Sequence, residues 1–421
     1  MTSPLLFGGI ADDFTGAVEL AGMLAAGGAC TVLATGPAAI DAEAEAVVIA
    51  TRSRVAPPQE ALDSTSAAAE ALLARGARQL FLKFCATFDS LDTGNIGNVA
   101  ELLAERGGAA SVLFCPSFPE AQRTVYQGHH FVGSSLLSES PKRHDPLTPM
   151  TQPDLVRVLQ PQTTRQVGLL PWGVVQQGAE AIRAHAAERL AEGIPFLIAD
   201  AITPKDLRRI AEASWDWPVM TGGSSVAAYY PALWRARGLL SNRMPAPLEG
   251  VGGTGAVLAG SCADRTREQI AAFAQHHPVL HLDPLENAEP AIARALAWAE
   301  NNLPKGPVCI ATSADPDRVA AAQAQLGPIA AGRRAEALLG RLAQGLVARG
   351  VRRLMVAGGE TSGAVVQALG ISQLRVAPYV ELGVGRCMAD APVRLALCLK
   401  SGKLGETGIF ARTLAAMEHA A

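Results

Sequence analysis

The chain has 421 residues, too many for one ordinary hydrophobic core and suited to two domains. Hydrophobic residues make up 49% and charged residues 18%, which excludes a disordered protein. The formal net charge of -3 gives no basic surplus for a nucleic-acid backbone, and no Lys/Arg block suggests a membrane surface. Neither nucleic acid nor membrane is expected as a partner. The seven cysteines stand singly, without a C-x-x-C pair, which points to free thiols in a reducing compartment rather than disulfides or a zinc site. The N-terminus lacks a basic n-region and its apolar run stops at Asp12, so no signal peptide is expected. Residues 20–40 carry no charge, but Gly27-Gly28 and Gly36-Pro37 cut them into a helix, a turn and a strand rather than a membrane span. The expected compartment is the cytoplasm.

Short apolar runs alternate with Ala-rich helical stretches along the chain. In the first half the runs are LLFGGIA (5–11), ACTVLAT (29–35), AVVIAT (46–51), QLFLKF (79–84), SVLFC (111–115), QVGLL (166–170), PFLIAD (195–200) and WPVMTG (217–222). They are apolar throughout rather than alternating, which predicts parallel strands buried on both faces by helices such as 59–75 and 177–192. Residues 241–254, SNRMPAPLEGVGGT, read as a linker. The pattern restarts with GAVLAGS (255–261), PVLHLD (278–283), GPVCIAT (306–312), RRLMVAGG (352–359), LRVAP (374–378) and RLALCLKSG (394–402). Helices are predicted at 264–275, 287–302, 333–350 and 361–370. The expected fold is α/β in two domains, 1–240 and 255–421, each with a mostly parallel sheet flanked by helices.

Ligands of open parallel sheets bind beyond the carboxyl ends of the strands. In the first domain those ends carry Asp12-Asp13, then Arg52 and Arg54 in TRSR, Lys83 and Asp89 in KFCATFDS, and Arg123 in PSFPEAQRT. This mixed set suits a small hydroxylated anion. An Asp at a strand-to-helix junction is often just a helix N-cap, which explains one of the pair but not both. TRSR alone fits a solvated loop equally well. A lysine inside QLFLKF is harder to leave idle. The second domain offers Gly- and Ser-rich turns instead: Ser261 at the end of GAVLAGS, Gly358-Gly359-Glu360-Thr361 before a helix starting near Thr361, and Gly402 in LKSGKLGETG. Exposed N–H groups at such turns suit phosphates, although glycine is also the default turn residue. The Walker, dinucleotide, protein-kinase and nucleophile-elbow motifs are absent. The pairs His129-His130 and His276-His277 read as surface or structural residues, and no spacing assigns metal ligands.

Taken together, IADDFTGA, KFCATFDSLDTGNIG, RTVYQGHHFV, HDPLTPM, AGGETSGAVVQALG and LKSGKLG resemble the four-carbon acid sugar kinases, over residues 5 to about 411. The resemblance implies ATP-dependent phosphorylation of the C4 hydroxyl of a four-carbon sugar acid, a 3-oxo-tetronate in particular. It also implies an N-terminal sugar-acid-binding domain and a C-terminal nucleotide-binding domain. It gives Asp12 and Asp13 to the substrate site, and Arg54 and Lys83 to the substrate, to which the strand-end reading adds Arg123. A kinase needs a carboxylate near the attacking hydroxyl, so Asp12 and Asp13 are the expected catalytic pair, with Asp13 placed slightly ahead of Asp12 as the base. Ser261, Gly358, Gly359, Glu360, Thr361 and Gly402 go to ATP, which carries Mg²⁺. Where the family has KSGNFG this chain has Lys400-Ser401-Gly402-Lys403-Leu404-Gly405, so any role of the Asn side chain is lost. VELGVGRCMADAPV (380–393) lacks the family's Pro-Trp after Gly-Val. A kinase for erythronate or threonate, or a sugar-acid sensor without catalysis, are the competing readings. A homodimer is the candidate assembly.

Overall fold

The computed structural model describes residues 5–37, 43–145, 147–243, 245–313 and 316–419. The chain divides into two compact units, Met1–Pro245 and Ala246–Ala421.

In the first unit, eight strands form one parallel sheet: β1 (Phe7–Ala11), β2 (Thr31–Ala34), β3 (Ala46–Ala50), β4 (Gln79–Lys83), β5 (Val112–Cys115), then β9 (Val167–Leu170), β10 (Phe196–Ala199) and β11 (Val219–Gly222). Their order is β2-β3-β1-β4-β11-β5-β10-β9. β11 therefore enters between β4 and β5, although it is the last of the eight in sequence. Every residue of β1, β3 and β4 is buried, which is why these runs are apolar without alternation. Helices α1 (Phe14–Ala26), α2 (Pro58–Ala74) and α3 (Ile96–Gly107) follow β1, β3 and β4. Leu72, Val99, Leu103 and Phe114 belong to the core that α2 and α3 close over the sheet.

Between β5 and β9 lies a small antiparallel sheet, β6 (Arg123–Tyr126), β7 (His129–Val132) and β8 (Ser135–Leu136), which the strand pattern does not announce. Asp200 anchors its turn: the buried carboxylate accepts from Gln127 N at 2.8 Å, Gly128 N at 2.9 Å and Trp172 N at 3.0 Å.

The second unit holds β12 (Thr254–Ala259), β13 (Val279–His281), β14 (Val308–Ala311), β15 (Val351–Ala357), β16 (Gln373–Val376), β17 (Val384–Ala389) and β18 (Leu395–Lys400). Their order is β13-β14-β12-β15-β18-β17-β16; the first five run parallel, β17 is antiparallel to β18, and β16 is antiparallel to β17. β17 is unforeseen, because Gly385 and Arg386 break its apolar run. The fold class is α/β with mostly parallel sheets, as expected. No described helix is long and apolar enough to cross a membrane.

Candidate functional site

In the first unit the backbone already ties three strand ends together. Asp12 N donates to Lys83 O at 3.0 Å, Thr51 N to Ala11 O at 2.9 Å, and Arg54 N to Asp12 O at 3.2 Å. Asp12, Asp13, Lys83 and Arg54 are thus brought to one place. Asn95, at the start of α3, fixes the TRSR loop by donating to Ser53 O at 2.8 Å and Ala56 O at 2.9 Å. Arg52 in that loop and Phe88 beyond β4 adopt positive φ, 59° and 52°, a conformation uncommon outside glycine.

The two aspartates have different tasks. Asp13 is the N-cap of α1: its Oδ1 accepts from Gly16 N at 2.8 Å and its Oδ2 from the Thr15 hydroxyl at 3.0 Å. Asp12 makes no cap. Arg54 grips it with two parallel bonds, Nε to Oδ2 at 2.8 Å and Nη2 to Oδ1 at 2.9 Å, and the same Nη2 lies 3.1 Å from Asp13 Oδ1. Burial pushes the Asp12 carboxyl above its ordinary value against the pull of Arg54. For Asp13 burial pushes the same way, but Arg54, Lys83 and the helix-cap bonds outweigh it and the carboxyl sits below its ordinary value. Arg54 is held well above the usual guanidinium value by both carboxylates, in spite of its own burial.

A second ionic group adjoins the first. Lys142 binds Asp89 at 2.8 Å and Asp145 at 2.7 Å, and Asp89 accepts from the Thr87 hydroxyl. Burial opposes the Asp89 charge, but Lys142 and Arg54 hold its carboxyl below the ordinary value. A narrow crevice is lined by Asp12, Ser53, Arg54, Asp89 and Asn95. Lys142 and Asp145 were invisible as site residues; HDPLTPM, which contains Asp145, was the one available signal. Arg123 lies on β6, where its guanidinium donates to Ala121 O, and both it and Asp89 of this group act on the buried His130.

In the second unit the Gly- and Ser-rich turns converge. Gly358 N donates to Lys400 O at 2.9 Å and Ser261 N to Ala357 O at 3.2 Å. The Thr266 hydroxyl donates to Gly402 O at 2.7 Å. A Cβ at Gly402 would collide with Ser261 Oγ. Gly358 has φ 131°, and a Cβ there would lie 2.8 Å from Thr361 Oγ1 and 3.3 Å from Ser261 N. Ser261, Gly358, Thr361 and Gly402 therefore form one cluster at the ends of β12, β15 and β18. The helix after β15 spans Gly359–Ala368, starting two residues earlier than predicted. Glu360 lies in its first turn, and Thr361 is buried beneath Gly260 and Gly358. Lys400 is completely buried, and its ammonium donates to Leu404 O at 2.8 Å and to Ser401 O, which sets the turn that follows β18. Beside that turn lies an open cleft of about 380 Å³, lined by Arg265, Glu381, Leu382, Leu404, Glu406 and others, within the usual size range of small-molecule sites.

Residues 7–230 match the family model of a sugar-binding N-terminal domain, and residues 256–410 that of a nucleotide-binding C-terminal domain. The chain is 45% identical to the 3-oxo-tetronate kinase of Burkholderia multivorans, covering 99% of this chain and 98% of that protein. It is 45% identical to the protein of the same name from Methylobacterium radiotolerans (97% and 99%), and 37% to that from Salmonella typhimurium (97% and 98%). Among solved structures, one from Salmonella typhimurium LT2, described as a candidate tRNA synthase, superposes with a TM-score of 0.84 at 35% identity, covering 97% of this chain and 98% of that one. A Haemophilus influenzae protein superposes with a TM-score of 0.76 at 32% identity, covering 98% and 100%.

Proposed function

Because the chain belongs to the four-carbon acid sugar kinase family, we propose that it transfers the γ-phosphoryl group of ATP to the C4 hydroxyl of a 3-oxo-tetronate. The observation that carries this reading is the buried Asp12–Arg54–Asp13 cluster at the strand ends of the unit that matches the sugar-binding model. A kinase needs a carboxylate to orient or deprotonate the attacking hydroxyl, and charge to stabilise the transferring phosphoryl.

The geometry favours Asp12 over Asp13 as that base. Asp13 is engaged as a helix cap and held below its ordinary pKa, whereas Asp12 is pushed up by burial and has no capping task. Arg54 orients Asp12 and offers its remaining donors to the substrate. Lys83 contacts the substrate near the base, and Arg123 uses its free donors on the acid's carboxylate. In the second unit the turns at Ser261, Gly358 to Thr361 and Gly402 receive ATP. Mg²⁺ comes with the nucleotide: among the described residues no three His, Cys, Asp or Glu side chains are grouped to hold a metal, and Mg²⁺ commonly relies on waters and substrate phosphates.

The test is ADP release measured across a panel of four-carbon acids and their 3-oxo forms. Turnover should be highest with a 3-oxo-tetronate. Preference for erythronate or threonate would move the substrate assignment to the reduced acids. Binding of the acid without any ADP release would replace the kinase by a sensor.

A further inference from the structure

Lys83 is a buried lysine whose charge acts on Asp12 and Asp13 only at a distance. It is 3% exposed, yet its ammonium forms no hydrogen bond or close ion pair with the described residues, while every other cation of the cluster is locked: Arg54 by two aspartates, Lys142 by two more. In the sheet, Lys83 pairs in register with Ala11 on one side and Gly222 on the other. Its ammonium reaches the first turn of α1, where a Cβ at Gly16 would collide with both Lys83 Nζ and Asp13 Oδ1. That turn starts a helix of 13 residues. Gly16 N is taken by Asp13, whereas the N–H groups of Phe14 and Thr15 have no intrahelical partner, as at any helix start. A buried ammonium without a hydrogen-bond partner, beside a helix start whose Asp13 cap leaves two N–H groups over, suits a further anion.

We propose that this site holds the transferred phosphoryl group, so that Lys83 is a catalytic residue acting on phosphorus and not the receptor of the acid's carboxylate. The inference rests on the kinase reading and deepens it. The site adjoins the Asp12-Asp13 pair, so it lies at the end of the substrate where the hydroxyl reacts. The carboxylate sits at the far end of a four-carbon chain. A lysine is a point charge suited to a tetrahedral, multiply charged phosphoryl, whereas a planar carboxylate is matched by an arginine fork. In the step, the C4 oxygen gives its proton to Asp12 and forms the new bond to the γ-phosphorus. The bond from that phosphorus to the β–γ bridging oxygen breaks, and ADP leaves with the electron pair. Lys83 and the α1 N–H groups neutralise the phosphoryl oxygens throughout and remain on the 4-phosphate product.

The test compares wild type, Lys83→Met and Lys83→Arg. Calorimetry without ATP measures the acid, its 4-phosphate and inorganic phosphate separately, and ADP release gives kcat and KM. In Lys83→Met, kcat should fall about 10²–10³-fold, affinity for the 4-phosphate at least about tenfold, and affinity for the acid less than about threefold. Lys83→Arg should recover part of the phosphate affinity and so separates the charge from any folding defect. Equal losses for acid and 4-phosphate would make Lys83 a carboxylate receptor and overturn the proposal, as would unchanged kcat and product affinity. If wild type turns over no four-carbon acid, the kinase reading fails by itself. Inorganic phosphate still decides the site, because wild type should bind it and Lys83→Met should not.

Discussion

At the ends of β1, β3 and β4 the side chains carry the charge; at the ends of β12, β15 and β18 the backbone does. The first cluster contains Asp12, Asp13, Arg54 and Lys83, with Asp89, Lys142 and Asp145 beside it, and most of these ions are already paired. The second is made of glycines and hydroxyls packed so closely that an added methyl group has no room at Gly402 or Gly260. The difference teaches where each region is vulnerable. A cluster of fixed charges is broken by removing one of them. A cluster of backbone groups is broken by adding a side chain.

The largest effect that would sharpen this contrast is expected at Asp12. Asp12→Asn keeps the shape and cannot accept a proton, so kcat should fall about 10²–10⁴-fold with ATP affinity unchanged. Asp13→Asn should lose far less, since Asn also caps helices. Equal losses in the two variants would erase the division of labour. Next comes Arg54→Ala, which leaves two buried carboxylates without their cation. Stability in urea should drop by about 3–5 kcal/mol, whereas a change confined to KM would show that the ion pairs are incidental to folding. Third, Gly402→Ala should raise the half-saturating ATP concentration about tenfold and leave acid affinity alone. A tolerated Ala there would mean that the turns are not a nucleotide site.

The smallest effect is in acid. His130 is completely buried, and burial, aided by Arg123, depresses its pKa to about 3 against 6.5 for an ordinary histidine. Between those values the unfolded chain binds a proton that the folded chain does not. This contribution is therefore intact above pH 6.5 and is lost as pH falls, by about 1 kcal/mol per pH unit. His130→Phe should flatten that part of the urea-midpoint profile. An unaltered slope would move the acid sensitivity elsewhere.

How much of this could be read from the residues depended on the kind of signal. Each of the fourteen apolar runs contains a strand, because burial on both faces leaves a dense local pattern. β6 to β8 and β17 escaped, since RTVY, HHFV and VGRCMA hold polar residues within strands of only two to six residues. The meeting of Asp12, Arg54 and Lys83 was legible from the rule that parallel strands end on one edge. What could not be read was which ion holds which. The fork from Arg54 to Asp12 spans 42 positions, and the bridge from Lys142 to Asp89 joins a 3₁₀ turn to a loop after β4. Such pairings are set by side-chain geometry, for which sequence spacing holds no code.

The late position of β11 has a consequence for synthesis. β4 and β5 are complete by residue 115, but the strand that lies between them ends at residue 222. At about 5–20 residues per second, the nascent chain carries two partial sheets with open apolar edges for roughly 5–20 s. During that interval β4 and β5 can pair with each other, or with another chain on the same messenger. The enzyme's yield in a cell should therefore depend on holdase chaperones acting at the ribosome. A chain released just before Trp217 should aggregate even though seven of the eight strands are present.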